Sequence, residues 1–431
     1  MQLVRNCVKL RNLLIFQRTF TTSLKTEVKS GEIVPEYNVS YLLDPENLPE
    51  ITANISRRKG VGDIRKAHEL ARRLKDSRDP ATEIQLHEEL GRIPNNTHPE
   101  VVNYGDEAKV LQMINEKRNF SFKPHPFATI CQKNNLLRME KLGNFSGHKS
   151  YYLMGDLAEL EQALLQYTVD RLTNHQFEMI NVPDIIPAQM IEGCGFTTTG
   201  ERNQVYKLSE PPLCLSGTAE MALAGFFAGQ TLQEDSLPRK VMAVSRCYRA
   251  EVSGLQEERG IYRVHQFSKV EMFGVANPNA SDELLEEFRN IQVELFSELG
   301  LHFKILDMPP PELGAPAYRK YDIEAFMEGR SDYGEISSCS NCTDYQARRL
   351  GIRLPSGDFA HTVNGTACAV PRMLIAILEA FQNDNGTVNI PDPLRPYMSF
   401  DQISRRKAIP QTNLVKKIEN PGSGSRVEAK T

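Results

Sequence analysis

Residues 247–272 read CYRAEVSGLQEERGIYRVHQFSKVEM. Arg249 and Glu251 are two apart, so on a strand they share a face. A polar loop with Gly254 and Gly260 follows. A second strand would then carry Arg263, His265, Phe267, Lys269 and Glu271 on one face. A face this charged is not expected in a core, and Phe267 in its middle argues against a plain solvent face. The mixture of base, acid and aromatic ring suits a nucleotide: Arg pairs with phosphate, a carboxylate accepts from an exocyclic amine, and a ring stacks on a base. A salt-bridged exterior hairpin would produce the same pattern.

A second informative run is NGTACAVPR at 364–372. Pro371 suits the first position of a helix, and Leu374, Ile377, Leu378 and Phe381 continue at helical spacing. Arg372 therefore falls at a helix N-terminus, where a cation opposes the macrodipole and a bound anion would relieve the conflict. Around these runs, residues 120–400 are punctuated by Gly and Pro. Strand-like runs alternate with helical ones such as 157–174 and 282–299. That pattern predicts an α+β body rather than a regular βαβ series.

The flanks differ in composition. Residues 1–26 contain no Asp or Glu but carry Arg5, Lys9, Arg11, Arg18 and Lys25 among apolar residues, with Thr and Ser following. This is the composition of a mitochondrial presequence. Residues 40–118 predict a small helical region. Nine Lys and Arg lie between Arg57 and Arg78 against three acids, Ile64, Ala67, Ala71 and Leu74 give a weak apolar face, and Asp79-Pro80 turns the chain into a second helix. Such a basic hairpin can touch phosphates, although a solvated helix face looks the same. Residues 403–431 hold seven Lys and Arg with two Glu and the run PGSGS, a disordered basic tail. The whole chain of 431 residues has a formal net charge of -4, so any attraction for nucleic acid is local. No stretch approaches eighteen uninterrupted apolar residues, so no membrane span is expected. Of eight Cys only Cys339 and Cys342 are close, with no second pair at ligand spacing, so no zinc is expected.

The 247–272 run resembles motif 2 of class II aminoacyl-tRNA synthetases, and of the seryl enzymes in particular. NGTACAVPR resembles their motif 3, in its mitochondrial form. EISSCSNCTDYQARR (335–349) resembles their metal and ATP strand, GTAE (217–220) their serine-binding loop, and FEMINVPDIIP (177–187) motif 1, with Pro183 at the dimer interface. The resemblance covers about 140–400. It implies an antiparallel sheet core flanked by helices, with a short N-terminal helical arm. It also implies activation of serine by ATP with Mg²⁺, then transfer to mitochondrial serine tRNA in the matrix. The enzyme would be a dimer, either of identical subunits or with a paralogue. Serine would be read by Thr218, Ala219, Glu220, Arg249, Glu271 and Thr366. ATP would be held by Arg249, Ala250, Glu251, Phe267, Glu335, Ile336, Ser337, Ser338 and Arg372. Glu335 and Ser338 would hold Mg²⁺, and Arg249 and Arg372 would do the catalytic clamping of phosphate. Glu335 and Ser338 do not share a face on an ideal strand, so a twist or bulge is required there. Ala367, where bacterial relatives have Gly, is read as neutral.

The departure from the family lies in the arm. Seryl enzymes carry two long antiparallel helices, and the region between Ile51 and Ile93 is much shorter. RNA contact then falls to Arg57, Arg58, Lys59, Arg65, Lys66, Arg72 and Arg73 or to the basic tail. Two other functions fit so short an arm: a synthetase-like paralogue that binds RNA or a partner without charging it, and a ligase that charges a carrier. The first should have lost cleft residues, yet Thr218, Glu220, Arg249, Glu251, Phe267, Glu271, Glu335 and Arg372 are all present.

Overall fold

The strand Gln266–Ala276 is buried at ten of its eleven positions, which requires cover on both faces. Its alternation assigns the two covers. Val270 and Met272 join the core shared with the helices Asp156–Asn174, Ser281–Glu298 and Val370–Ala380. Phe273 and Val275 join a second core with the helix Ala219–Phe227. Gly274 lets the first layer approach, since a Cβ there would lie 2.6 Å from Leu284 Cδ2. Lys269 and Glu271 continue the Phe273–Val275 face beyond the end of the covering helix, and that uncovered stretch becomes a cleft.

These strands belong to an eight-stranded sheet in the order Lys109–Ile114, Phe303–Asp307, Arg319–Met327, Asp332–Thr343, His361–Ala369, Gln266–Ala276, Arg239–Tyr248, Glu178–Met179. All pairings are antiparallel except the last. This computed structural model describes residues 33–60, 62–77, 79–139, 149–200, 203–209, 213–251 and 260–405. The expected presequence 1–26, the loop 252–259 and the tail from 406 lie outside them. Among the described residues no helix is long and apolar enough to cross a membrane.

The expected hairpin is present as the helices Ile64–Asp76 and Pro80–Arg92, and the helix Leu48–Arg57 precedes it. Lys59 and Gly60, both near φ +67°, break the chain after the first. The side chains of Asp63 and Asp79 cap the second and third, accepting from Arg65 and Lys66 N–H and from Ala81 and Thr82 N–H respectively. Their apolar faces form a core of their own from Val39 to Ile93. The expected boundary at 118 runs too far, because Lys109–Ile114 pairs with Phe303–Asp307 as the edge strand of the body.

One buried amide ties the helical layer to the cleft strands. Gln292, with no exposed surface, lies with Nε2 2.9 Å from Ser337 Oγ, Ser338 O and Thr366 O. Gln292→Leu removes the one amide donor that these three acceptors share. It should lower the unfolding free energy by about 1–3 kcal/mol, measured by urea denaturation.

Candidate active site

The cleft has an inner, buried compartment built around one ammonium group. Lys269 is 5 % exposed and its Nζ pairs with the Glu271 carboxylate, donates to Thr218 Oγ1 at 2.7 Å and lies 3.4 Å from Thr366 Oγ1. Thr366 Oγ1 donates to Glu271 Oε2 at 3.2 Å. Adjacent strands bring these groups together, since Thr366 sits opposite Glu271 in the ladder and a register irregularity follows at Ala367. Thr218 is the N-cap of the Ala219–Phe227 helix, its hydroxyl accepting from the Glu220 N–H. That puts Glu220 in the first turn, where a carboxylate complements the macrodipole. Glu220 Oε1 accepts from Gln346 Nε2 at 2.7 Å and from Asn364 Nδ2 at 2.9 Å. Burial, then the nearby charge of Glu271, push the Glu220 carboxyl up to about 7, against the opposing pull of Gln346, Lys269 and Arg249.

The outer compartment is cationic and aromatic. Arg249 stands just past the end of the Arg239–Tyr248 strand, with Nε donating to Gly217 O at 3.3 Å and the guanidinium 5.2 Å from the Phe267 ring centroid. Glu251, 8 % exposed, has Oε2 3.8 Å from Arg263 Nη1. Arg372, in the first turn of Val370–Ala380, pairs with Glu335 Oε2 at 3.0 Å, donates to Glu335 O at 3.1 Å and lies 4.6 Å from the Tyr262 ring centroid. Burial alone would raise the Glu335 carboxyl, but Arg372 and Lys320 outweigh it and hold it below its ordinary value. A shift in register opposite Ile323 and Glu324 makes Ile336 the extra residue of its strand. Glu335 and Ser338 consequently both border the cleft. The two compartments form one cavity of about 410 Å³.

Most of the expected site residues border this cavity: Thr218, Glu220, Arg249, Glu251, Phe267, Glu271, Glu335, Ile336, Ser337, Ser338, Thr366 and Arg372. Ile336 and Ser337 do so with their side chains buried, and the Ser337 hydroxyl donates to Thr366 O. Ala219 lies instead in the core, and Ala250 is held through its N–H on Gln204 O at 2.9 Å. His265, expected on the same face as Phe267, turns away. The ladder begins only at Gln266, and His265 Nδ1 lies 2.7 Å from Tyr206 OH and 3.0 Å from Arg249 O. Lys269 and Glu271 are buried but line the cavity, not the apolar core, and each neutralises the other. Lys269, Tyr262, Lys320, Gln346 and Asn364 complete the site without having been assigned a role from sequence. The available signals were the place of Lys269 between Phe267 and Glu271 and the places of Tyr262, Gln346 and Asn364 inside the motif runs.

On the arm, Arg57, Arg65, Arg72 and Arg73 are exposed, while Lys59 pairs with Glu312 at 2.8 Å and Lys66 with Glu89 at 3.1 Å. Arg58 differs from the expectation. It is 5 % exposed, with its guanidinium on main-chain oxygens of the body, so it is not presented to a phosphate in solvent.

Residues 206–381 match the tRNA synthetase class II core domain (G, H, P, S and T). The chain is 46% identical to the mitochondrial serine–tRNA ligase of Mus musculus over 339 residues, which are 76% of this chain and 65% of that protein. It is 42% identical to the serine–tRNA ligase of Treponema denticola over 330 residues, 74% of this chain and 78% of that one. The chain belongs to the serine–tRNA ligase family. Among solved structures, the seryl-tRNA synthetase of Pyrococcus horikoshii complexed with ATP superposes with a TM-score of 0.73 at 28% identity, covering 92% of this chain and 93% of that one. The antiparallel sheet flanked by helices is therefore the serine–tRNA ligase fold, as its motifs imply. The matched region spans about two thirds of the mouse protein's length.

The inner compartment gives a pH signature. Unfolded, Glu220 loses its proton near 4.5; folded, it keeps it until about 7. Unfolding thus releases a proton in that window, and stability falls as pH rises through it. Urea denaturation across the window should reveal a loss on the order of 3 kcal/mol from this group, absent in Glu220→Gln.

Proposed function

We propose that the chain activates serine with ATP to seryl-adenylate and transfers it to the 3′ end of serine tRNA for translation in the mitochondrial matrix. The observation that carries this reading is the inner compartment: two hydroxyls and two carboxylates around a buried ammonium, opening onto an arginine clamp. Such a set suits a small, hydroxylated ammonium ligand. A site that hydrogen-bonds a hydroxyl rejects the analogue lacking it, by on the order of 10⁴ in favourable cases. The Pyrococcus horikoshii relative's complex with ATP supports the outer compartment as the nucleotide site, and the mouse relative is a mitochondrial protein.

In the proposed reaction a serine carboxylate oxygen attacks the α-phosphorus, the bond to the bridging oxygen breaks, and pyrophosphate leaves with the electron pair. Arg249 would hold the α-phosphate and the serine carboxylate together, a matter of position and charge stabilisation. Phe267 would stack on adenine, and Glu251 would accept from its amino group. Arg372 would turn from Glu335 to the γ-phosphate. The 3′-hydroxyl of tRNA then attacks the carbonyl carbon, AMP leaves with the electron pair of the broken bond, and the hydroxyl proton passes to a phosphate oxygen or solvent. Glu220 and Glu271 would receive the serine ammonium, with Thr218 and Thr366 at its hydroxyl.

Glu335 and Ser338 fit Mg²⁺, a hard ion that takes one or two protein oxygens and completes its shell with phosphate and water. When bound it would offset phosphate charge. Glu335 becomes free to serve once Arg372 leaves it. Exposed Met179, Ile185 and Leu213, close in sequence or pairing to Pro183, support a dimer through this edge. The arm of residues 40–93 would meet RNA through Arg57, Arg65, Arg72 and Arg73.

Serine-dependent exchange of pyrophosphate into ATP, with Mg²⁺ present and alanine and threonine as controls, tests the activation step. Exchange with serine alone is expected. Its absence from folded protein would leave the non-catalytic RNA-binding paralogue as the reading. Arg249→Ala should abolish exchange without unfolding the chain, and normal turnover would refute the clamp. Charge reversal at Arg72 and Arg73 should weaken serine-tRNA binding about tenfold or more while sparing exchange. Unchanged RNA affinity would remove the arm from the footprint.

A further inference from the structure

Arg58 is a buried cation with no carboxylate partner among the described residues. Its Nη2 donates to Gly314 O and, at 3.2 Å, to Ala315 O. Its Nη1 lies 3.4 Å from Asn96 O and from Thr97 Oγ1. Asn95 repeats the pattern from the next stretch of chain. Its N–H donates to Ala315 O at 2.9 Å, and its Nδ2 lies 2.9 Å from Pro316 O, 2.8 Å from Cys342 O and 2.9 Å from Thr343 Oγ1. Asn54 locks the two together, donating from Nδ2 to Asn95 O at 3.0 Å and accepting from Thr97 Oγ1 at 2.7 Å.

The far ends of these bonds are not in the arm. Leu313, Gly314, Pro316 and Ala317 form one wall of the cleft, and Cys342 borders its inner compartment, where its Sγ lies 3.5 Å from Asn364 Nδ2. Segment 312–317 belongs to no strand and carries Gly314 and Pro316, so it has no ladder to hold it. An apolar side chain of similar length would serve packing as well as a buried guanidinium does, often better. Only the planar fork of donors fixes carbonyl oxygens of two separate segments in one geometry. Burial pushes the Arg58 pKa down to about 10, still far above physiological pH, so the fork stays charged.

We propose that Arg58, with Asn95, is a positioning residue for the substrate cleft: the base of the helical arm braces the 312–317 wall and the end of the Asp332–Thr343 strand, so that the arm shapes the cleft with no RNA on it. The reduced arm is then a part of the catalytic body as well as an RNA-facing surface. This rests on the reading of the cleft as the serine and ATP site.

The test uses the full chain without tRNA. Serine-dependent pyrophosphate exchange is measured for wild type, Arg58→Met and Arg58→Lys, with Lys75→Met as an exposed control on the arm. Hydrogen exchange of the 312–318 segment is followed in parallel. A brace predicts a KM for serine or ATP raised about tenfold or more in Arg58→Met, with kcat within about twofold, partial rescue by Arg58→Lys, and faster exchange in 312–318. Lys75→Met should change none of these. Unchanged KM and unchanged protection of 312–318 in folded Arg58→Met would overturn the proposal. So would a fall in kcat alone that tracks a lower folded fraction, because that is a purely structural role. If wild type activates no serine, the functional reading fails, and protection of 312–318 still decides the brace. If Arg58→Met does not fold, Asn95→Ala is judged by the same two readouts.

Discussion

The cleft depends on one buried ion pair. Lys269 and Glu271, two positions apart on a central strand, are each about as buried as the core around them. Removing one partner would strand the other charge at a cost of about 3–5 kcal/mol, more than the loss of any one hydroxyl contact, about 1 kcal/mol. The pair therefore dictates what lies around it. Thr218 and Thr366 turn their hydroxyls to Lys269, and those two residues fix the start of the Ala219–Phe227 helix and the middle of the His361–Ala369 strand. Once these are fixed, Asn364 and Gln346 meet Glu220. The pocket is built outward from the pair.

This arrangement explains why three carboxylates can share a small volume. Glu271 has Lys269, Glu335 has Arg372, and Glu220 has no cation in contact among the described residues, with two amides instead. Its raised pKa follows first from burial, which no contacting cation offsets, and then from the charge of Glu271. In the proposed reaction the incoming ammonium is the missing cation. It would make Glu220 a paired carboxylate and lower its pKa, so ligand binding near pH 7 would release part of a proton. The Arg372–Glu335 pair works in the opposite sense. It is complete without ligand, and a polyphosphate with its metal would exchange both partners together, so neither charge is left bare in the cleft.

Much of this was legible because local patterns carried it. The 247–272 run marked two strands, Pro371 the first turn of a helix, and the ordered motifs an antiparallel class II core. Failures came where geometry departs from ideal periods. His265 was grouped with Phe267 by a two-residue alternation that does not extend past Gln266. Glu335 and Ser338, by contrast, called for a bulge between them, and the extra residue at Ile336 supplies it. Gln346 and Asn364 act on Glu220 across 126 and 144 residues, and nothing local links them. Arg58 sits at the C-cap of its helix, φ -93° and ψ 31°, where a helical wheel no longer says which way a side chain points.

The arm shows how position divides a run of like charges. Arg57, Arg58 and Lys59 are consecutive, yet one is exposed, one is buried against the cleft wall, and one pairs with Glu312. The exposed Lys59–Glu312 pair adds little, about 0–1 kcal/mol in such settings. The buried Arg58 contacts are the ones that can transmit a constraint, because water cannot replace them. The root of the arm is where arm and cleft share main-chain hydrogen bonds. Selection on the cleft would then preserve a small helical core from Val39 to Ile93 even if its RNA-facing surface drifted.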